Sequence, residues 1–219
     1  MSEHVQHADR FLFHALLAFS GGFQDAYTYI GRGKVFANAQ TGNLVLMSMN
    51  LLTGEFRTAL RYLLPLLAFA GGVFAAERIL NHPGVNKARG RRRIILAEMI
   101  LLAIVAFLPH SVDMLANMIV SFTCAMQVEG FRSAFGNAYA STMIIGNLRS
   151  GVDALSVFLR KKDEEHRKSA GFYFTIILIF ALGAGIGGNL TNLYDIPMIL
   201  VSAVCLFLAN LLKIGRAHV

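Results

Sequence analysis

Charge is what this chain has least of. Only 15% of its 219 residues are Asp, Glu, Lys or Arg and 55% are hydrophobic, whereas a soluble domain carries about 25% charged residues. With a mean hydropathy of +0.55, this excludes an ordinary soluble domain and makes the chain an integral membrane protein. Cysteine is nearly missing: Cys124 and Cys205 lie inside apolar runs with no C-x-x-C, which implies neither a disulfide nor a metal site. Catalytic signatures are missing as well. There is no His-Glu-x-x-His, no G-x-S-x-G and no His/Cys cluster at metal spacing, so no catalytic residue, metal or cofactor is assigned. An intramembrane Asp pair, Asp25 with Asp153, is the one enzymatic arrangement left open. The N-terminus lacks the marks of a signal peptide. Met1 to Arg10 is polar, and the apolar run after it is longer than an h-region, carries Asp25 and has no Ala-x-Ala site.

What is present is a series of apolar blocks. The net charge of +7 comes from Lys and Arg in short runs between them, the pattern of topology signals rather than of a nucleic-acid surface. The length allows roughly eight segments of about 20 residues. These are Phe11–Ile30, Val35–Thr53, Thr58–Leu80, Ile94–Leu108, Met114–Phe135, Tyr139–Leu159, Phe172–Leu190 and Met198–Leu212. The expected fold is an all-α polytopic helix bundle forming one membrane domain over residues 1–213. Ala68, Gly72 and Ala76, with Gly183 and Gly187 in the seventh segment, offer small faces for close helix packing. The last six residues, Ile214 to Val219, read as a non-native tail.

Polar groups interrupt this pattern in one stretch above all, Ser20 to Asn50. Asp25 sits in an apolar segment, where an acid costs about 2.5 to 3.5 kcal/mol at mid-membrane. A Gly31-Arg32-Gly33-Lys34 break and a Gln40-Thr41-Gly42-Asn43 cluster follow. The arrangement recurs 104 positions later: Gly42-Asn43 becomes Gly146-Asn147, Asp25 falls on Glu129, and the run from Ile94 falls on that from Met198. The reading is a tandem duplication, with repeat one about 11–109 and repeat two about 113–213, and an insertion near Arg160–Lys168. Glu129 with Arg132, and Arg149 with Asp153, stand three and four residues apart, so each can pair on one helix face. Glu98, about one turn inside its segment, is expected to snorkel back to the basic loop.

The Arg78–Arg93 loop is the strongest orientation signal and is expected in the cytoplasm. If the second and sixth segments both cross, the basic Arg160–Lys168 loop falls on the opposite side. If neither crosses, both loops and both termini are cytoplasmic. The preferred topology therefore has six full crossings, with a broken or re-entrant helix in each half.

The Phe-Gln-Asp-Ala stretch, the Val-Phe-Ala-Asn-x-x-Thr-Gly-Asn segment from Val35 to Asn43, and Gly146-Asn147 resemble the YoaK family of uncharacterised bacterial multi-span membrane proteins. The resemblance spans the chain to about Lys213 and implies a bacterial inner-membrane location and about six spans. It brings no substrate. Here the second motif reads Ile-Ile-Gly-Asn, without the Thr.

Intramembrane acids at helix breaks match transporter logic. The expected function is transport of a small solute through a polar site at the repeat interface, with a proton as the candidate coupling ion. In that reading Asp25, Gln40, Thr41, Asn43, Glu129 and Asn147 bind substrate or ion, and Arg132, Arg149 and Asp153 serve as gate or counter-charge. The partners are the bilayer, a small solute and a proton, not nucleic acid. The alternative is a non-transporting structural or sensor subunit whose buried charges only fix helix packing.

Overall fold

The computed structural model describes the backbone of residues 3–214 and the side chains of residues 8–212. Among these the chain forms eight α-helices: α1 (Glu3–Gly31), α2 (Gln40–Leu52), α3 (Phe56–Leu80), α4 (Lys87–Val105), α5 (Asp113–Gly130), α6 (Ile144–Lys161), α7 (Glu164–Tyr194) and α8 (Leu200–Ile214). A two-residue β-hairpin pairs β1 (Ser133–Ala134) with β2 (Asn137–Ala138). The fold is the expected all-α bundle. The proposed non-native tail lies almost wholly outside the described residues.

Several boundaries differ from expectation for local reasons. Asn86 accepts the Arg89 amide at 2.8 Å and caps α4 at Lys87, so the arginine-rich stretch is helix rather than loop. Asp163 caps α7 by accepting from Glu165 at 3.0 Å, and Lys162 ends α6 in the left-handed region at φ 58°. The expected solvated loop Arg160–Lys168 is thus two helix ends joined by a tight turn.

The helices α3 and α7, and α5 together with the short turn before it, are long and apolar enough to cross a bilayer. Their outer faces are apolar and bare: Phe74 is 62% exposed, Leu178 64% and Leu182 61%. Such a surface suits lipid and would aggregate in water. Inside, α1, α4, α5 and α8 surround a core that includes Leu17, Phe23, Ile94, Leu102, Val120 and Leu206.

Glycine contacts set the helix directions. In α7, Gly183 lies against the Phe19 backbone and Gly187 against Phe23, while Gly31 meets Thr191, so α1 and α7 run parallel. In α3, Gly72 lies against the Phe122 carbonyl and Ala125 of α5, and the α3 start meets the α5 start around Leu60 and Met114. α3 and α5 are therefore parallel as well. The two pairs oppose each other. Phe131, just past α5, packs on Phe13 of α1 at 5.2 Å, and Arg32, just past α1, bonds Asp113 at 2.7 Å. One end of the bundle gathers the α4 arginines and the α6–α7 turn and is here called the basic end. The other is the far end.

Two segments enter this frame from opposite ends. Residues 32–39 leave α1 at the far end and turn back alongside it: Phe36 stacks on Tyr29 at 4.7 Å, and Asn38 Nδ2 donates to the Gly21 carbonyl at 3.2 Å. α2, with 13 residues or about 20 Å, then returns to the far end, where Arg57 and Arg61 of α3 lie beside Arg32. Residues 131–143 leave α5 at the basic end and run inward until Thr142 meets Gly21. α6 then returns to the basic end and pairs with α7, Gly151 packing on Tyr173 and Phe174. Both inward tips touch the same residue of α1.

Candidate functional site

Asp25 is 9% exposed and is bound from one side by the incoming segment. Its Oδ1 accepts the Asn38 amide at 2.7 Å, with the amides of Ala37 and Ala39 also facing the carboxylate. The acid caps the turn that opens α2, using N–H groups that have no helical partner. The adjoining cluster is equally engaged. Asn43 accepts the Phe36 amide at 3.1 Å and donates to the Phe36 carbonyl at 2.7 Å. It donates also to Gln40 Oε1 at 3.0 Å, and Gln40 Nε2 reaches the Ala37 carbonyl at 2.8 Å. Thr41 is exposed.

In the second half, Asn147 accepts the Ala140 amide at 3.3 Å and donates to the Ala140 carbonyl at 2.7 Å. Glu129 pairs with Arg132 at 3.3 Å; the Arg132 side chain is 73% exposed. Arg149 and Asp153 both lie on the exposed side of α6, and among the described residues no ion pair joins them.

The predicted residues thus fall in two places. Asp25 lines a groove of about 560 Å³ with Phe36, Phe180 and Ala184, beside α7. Glu129, Arg132 and Asn147 line one of about 500 Å³ with Ala140, Phe69 and Val73, beside α3. The linings correspond: Asp25 with Glu129 and Phe36 with Ala140 at an interval of 104, and Phe69 with Phe180 and Val73 with Ala184 at an interval of 111.

Between them lies a buried polar cluster that sequence reasoning missed. Gln24, fully buried beside Asp25 in the chain, donates to Ser20 Oγ at 2.9 Å and to Glu98 Oε1 at 3.2 Å. Its own Oε1 accepts from Cys124 Sγ at 2.9 Å. Glu98 is 0% exposed, and its Oε2 has no protein partner. The expectation that Glu98 snorkels is corrected: because α4 starts at Lys87, Glu98 stands eleven residues, about three turns, inside the helix. An uncompensated carboxylate at such a place carries a cost that a proton or a cation removes. Among the described residues no three His, Cys, Asp or Glu side chains cluster as metal ligands. The only sequence hint to this cluster is that Glu98 is the sole acid in an apolar run.

His14 Nδ1 sits 2.8 Å from the Tyr139 hydroxyl. At the far end Arg32, 1% exposed, addresses three acceptors: Tyr27 Oη at 2.9 Å, Asp113 Oδ1 at 2.7 Å and the Val105 carbonyl at 2.9 Å. It ties the end of α1 to α4 and α5. His110 Nε2 lies 2.9 Å from Asp195 and its Nδ1 3.3 Å from Asp113.

Residues 13–212 match the family model described as a protein of unknown function, DUF1275. The chain belongs to the DUF1275 family. The match runs from within α1 to within α8 and takes in α2 to α7 whole, so every residue of the two grooves and of the central cluster lies within the family region. No curated protein and no solved structure matches the chain.

Proposed function

We propose that this DUF1275 chain is a transporter of a small solute, coupled to protons, with six crossings (α1, α3, α4, α5, α7 and α8). The reading rests on one observation: two non-helical segments enter from opposite ends and meet at Gly21. Irregular backbone at membrane depth is tolerated where protein buries it or a wet cavity borders it, and opposed broken helices in inverted halves are the usual frame for alternating access. The parallel pairs α1 with α7 and α3 with α5, and the 104-residue interval between the groove linings, support an inverted duplication. The excess of Lys and Arg at one end favours placing that end in the cytoplasm. The resemblance to the YoaK family favours a bacterial inner membrane.

In this reading the coupling proton is held at Glu98, through the oxygen that no side chain satisfies, and Asp25 positions the far-end tip. A structural or sensor role is favoured by a different observation: Asp25, Asn43 and Asn147 are all engaged with backbone. Reconstitution separates the two. Proteoliposomes loaded with a pH-sensitive dye and challenged with a panel of small solutes should show solute-dependent proton movement that Glu98→Gln removes. No movement with any solute, from folded and correctly inserted protein, overturns transport in favour of the structural role.

A further inference from the structure

At the far end, Arg57 and Arg61 stand on the first two turns of α3, four residues apart and on one face. Both are exposed, and among the described residues neither makes an ion pair. The placement is unfavourable on two counts. The amino end of a helix carries partial positive charge, and this end is the one that the basic-end excess leaves poor in Lys and Arg. They line a cleft of about 350 Å³ shared with Arg32, His110, Asp113 and Asn117. The Asp113 carboxylate does not neutralise them, since Arg32 holds it at 2.7 Å and His110 approaches at 3.3 Å.

Asn117 supplies an independent sign of a ligand. It is 3% exposed and its Nδ2 donates to the Arg32 carbonyl at 2.7 Å, while its Oδ1 is buried without a partner. Two arginines without counter-ions call for an acceptor, and the Asn117 oxygen calls for a donor. We infer that this cleft binds a small oxyanion carrying its own hydroxyl, of the hydrogen-phosphate or hydroxycarboxylate type, with Arg57 and Arg61 on the anion and Asn117 on the hydroxyl. The inference deepens the transport reading by naming the class of solute, though binding is measurable without transport. The same chemistry is found on a phosphatidylglycerol headgroup, so the source is part of the test.

Inorganic phosphate is titrated into the purified protein in neutral detergent, by calorimetry, against chloride at matched ionic strength. Saturable phosphate binding is expected, weakened about tenfold or more in Arg57→Gln/Arg61→Gln, the scale of one lost charge-assisted hydrogen bond. Both arginines are exposed, so this variant keeps its fold. In a parallel arm, nanodiscs of phosphatidylcholine with and without phosphatidylglycerol are compared for the two proteins. Arginine-dependent enrichment of phosphatidylglycerol without phosphate binding assigns the site to a headgroup and overturns the soluble-solute assignment. Neither ligand depending on the arginines overturns the site altogether. Phosphate binding with no flux of any solute leaves the site standing and overturns transport instead.

Discussion

Asn147 stands to Ala140 as Asn43 stands to Phe36. Each amide side chain closes a ring on the backbone N–H and C=O of the residue seven positions earlier, with its donor bond at 2.7 Å in both cases. The two rings lie 104 residues apart in the chain. Both hold the inward segment against the start of the helix that follows it, where backbone groups would otherwise be unpaired at membrane depth.

Replacing either asparagine should therefore cost stability. Asn43→Ala and Asn147→Ala each strand a backbone donor and an acceptor, a loss of about 2 to 4 kcal/mol. Thermal unfolding monitored by size-exclusion chromatography should show comparable losses for both. Unchanged stability with an altered solute affinity would assign the amides to ligand instead.

Glu98→Gln keeps the shape at the centre and removes the ionisable group. Its unfolding midpoint should equal or exceed that of wild type, because an uncompensated buried acid is replaced by a neutral amide. Proton-coupled flux should disappear. Glu98→Ala separates charge from packing, since it also leaves a cavity and costs about 2 kcal/mol or more.

Arg32→Ala should be the most damaging single change at the far end. The guanidinium is buried and holds three partners on α1, α4 and α5. Breaking a buried charged network costs about 3 to 5 kcal/mol, with the lower figure expected because Asp113 is 26% exposed. Arg32→Lys should not rescue it, since one ammonium cannot reproduce the planar fork.

Gly72→Ala and Gly183→Ala test the parallel helix pairs. A Cβ at Gly72 meets the Phe122 carbonyl and one at Gly183 meets that of Phe19, whereas Gly185 faces open space. The first two should each cost about 1 to 3 kcal/mol through overpacking, and Gly185→Ala should be neutral. Equal effects at all three positions would contradict the packing described.

The helical class, the main apolar blocks and the inward segments were legible in the sequence because each depends on local composition: apolar runs, the Gly31 to Lys34 break and the recurrence of Gly-Asn. What was not legible depended on distant contacts or on a single cap. Gly31-Arg32-Gly33-Lys34 reads only as a helix break, yet Arg32 is buried by partners 73 and 81 residues further on. Glu98 reads as near the membrane surface until Asn86 is seen to start the helix two turns earlier. Arg149 and Asp153 have pairing distance in sequence, but their side of α6 faces outward.

Cysteine labelling tests the opposed entry of the two inward segments most directly. Thr53→Cys at the exposed α2–α3 turn and Lys161→Cys at the end of α6 are placed in the chain, whose native Cys124 and Cys205 are buried. Intact cells are treated with a membrane-impermeant maleimide, before and after permeabilisation. The account predicts labelling of Thr53→Cys in intact cells and of Lys161→Cys only after permeabilisation. Labelling of both from the same face would mean that α6 crosses fully, since the three crossings α3, α4 and α5 set Thr53 and the start of residues 131–143 on opposite faces, and would contradict it.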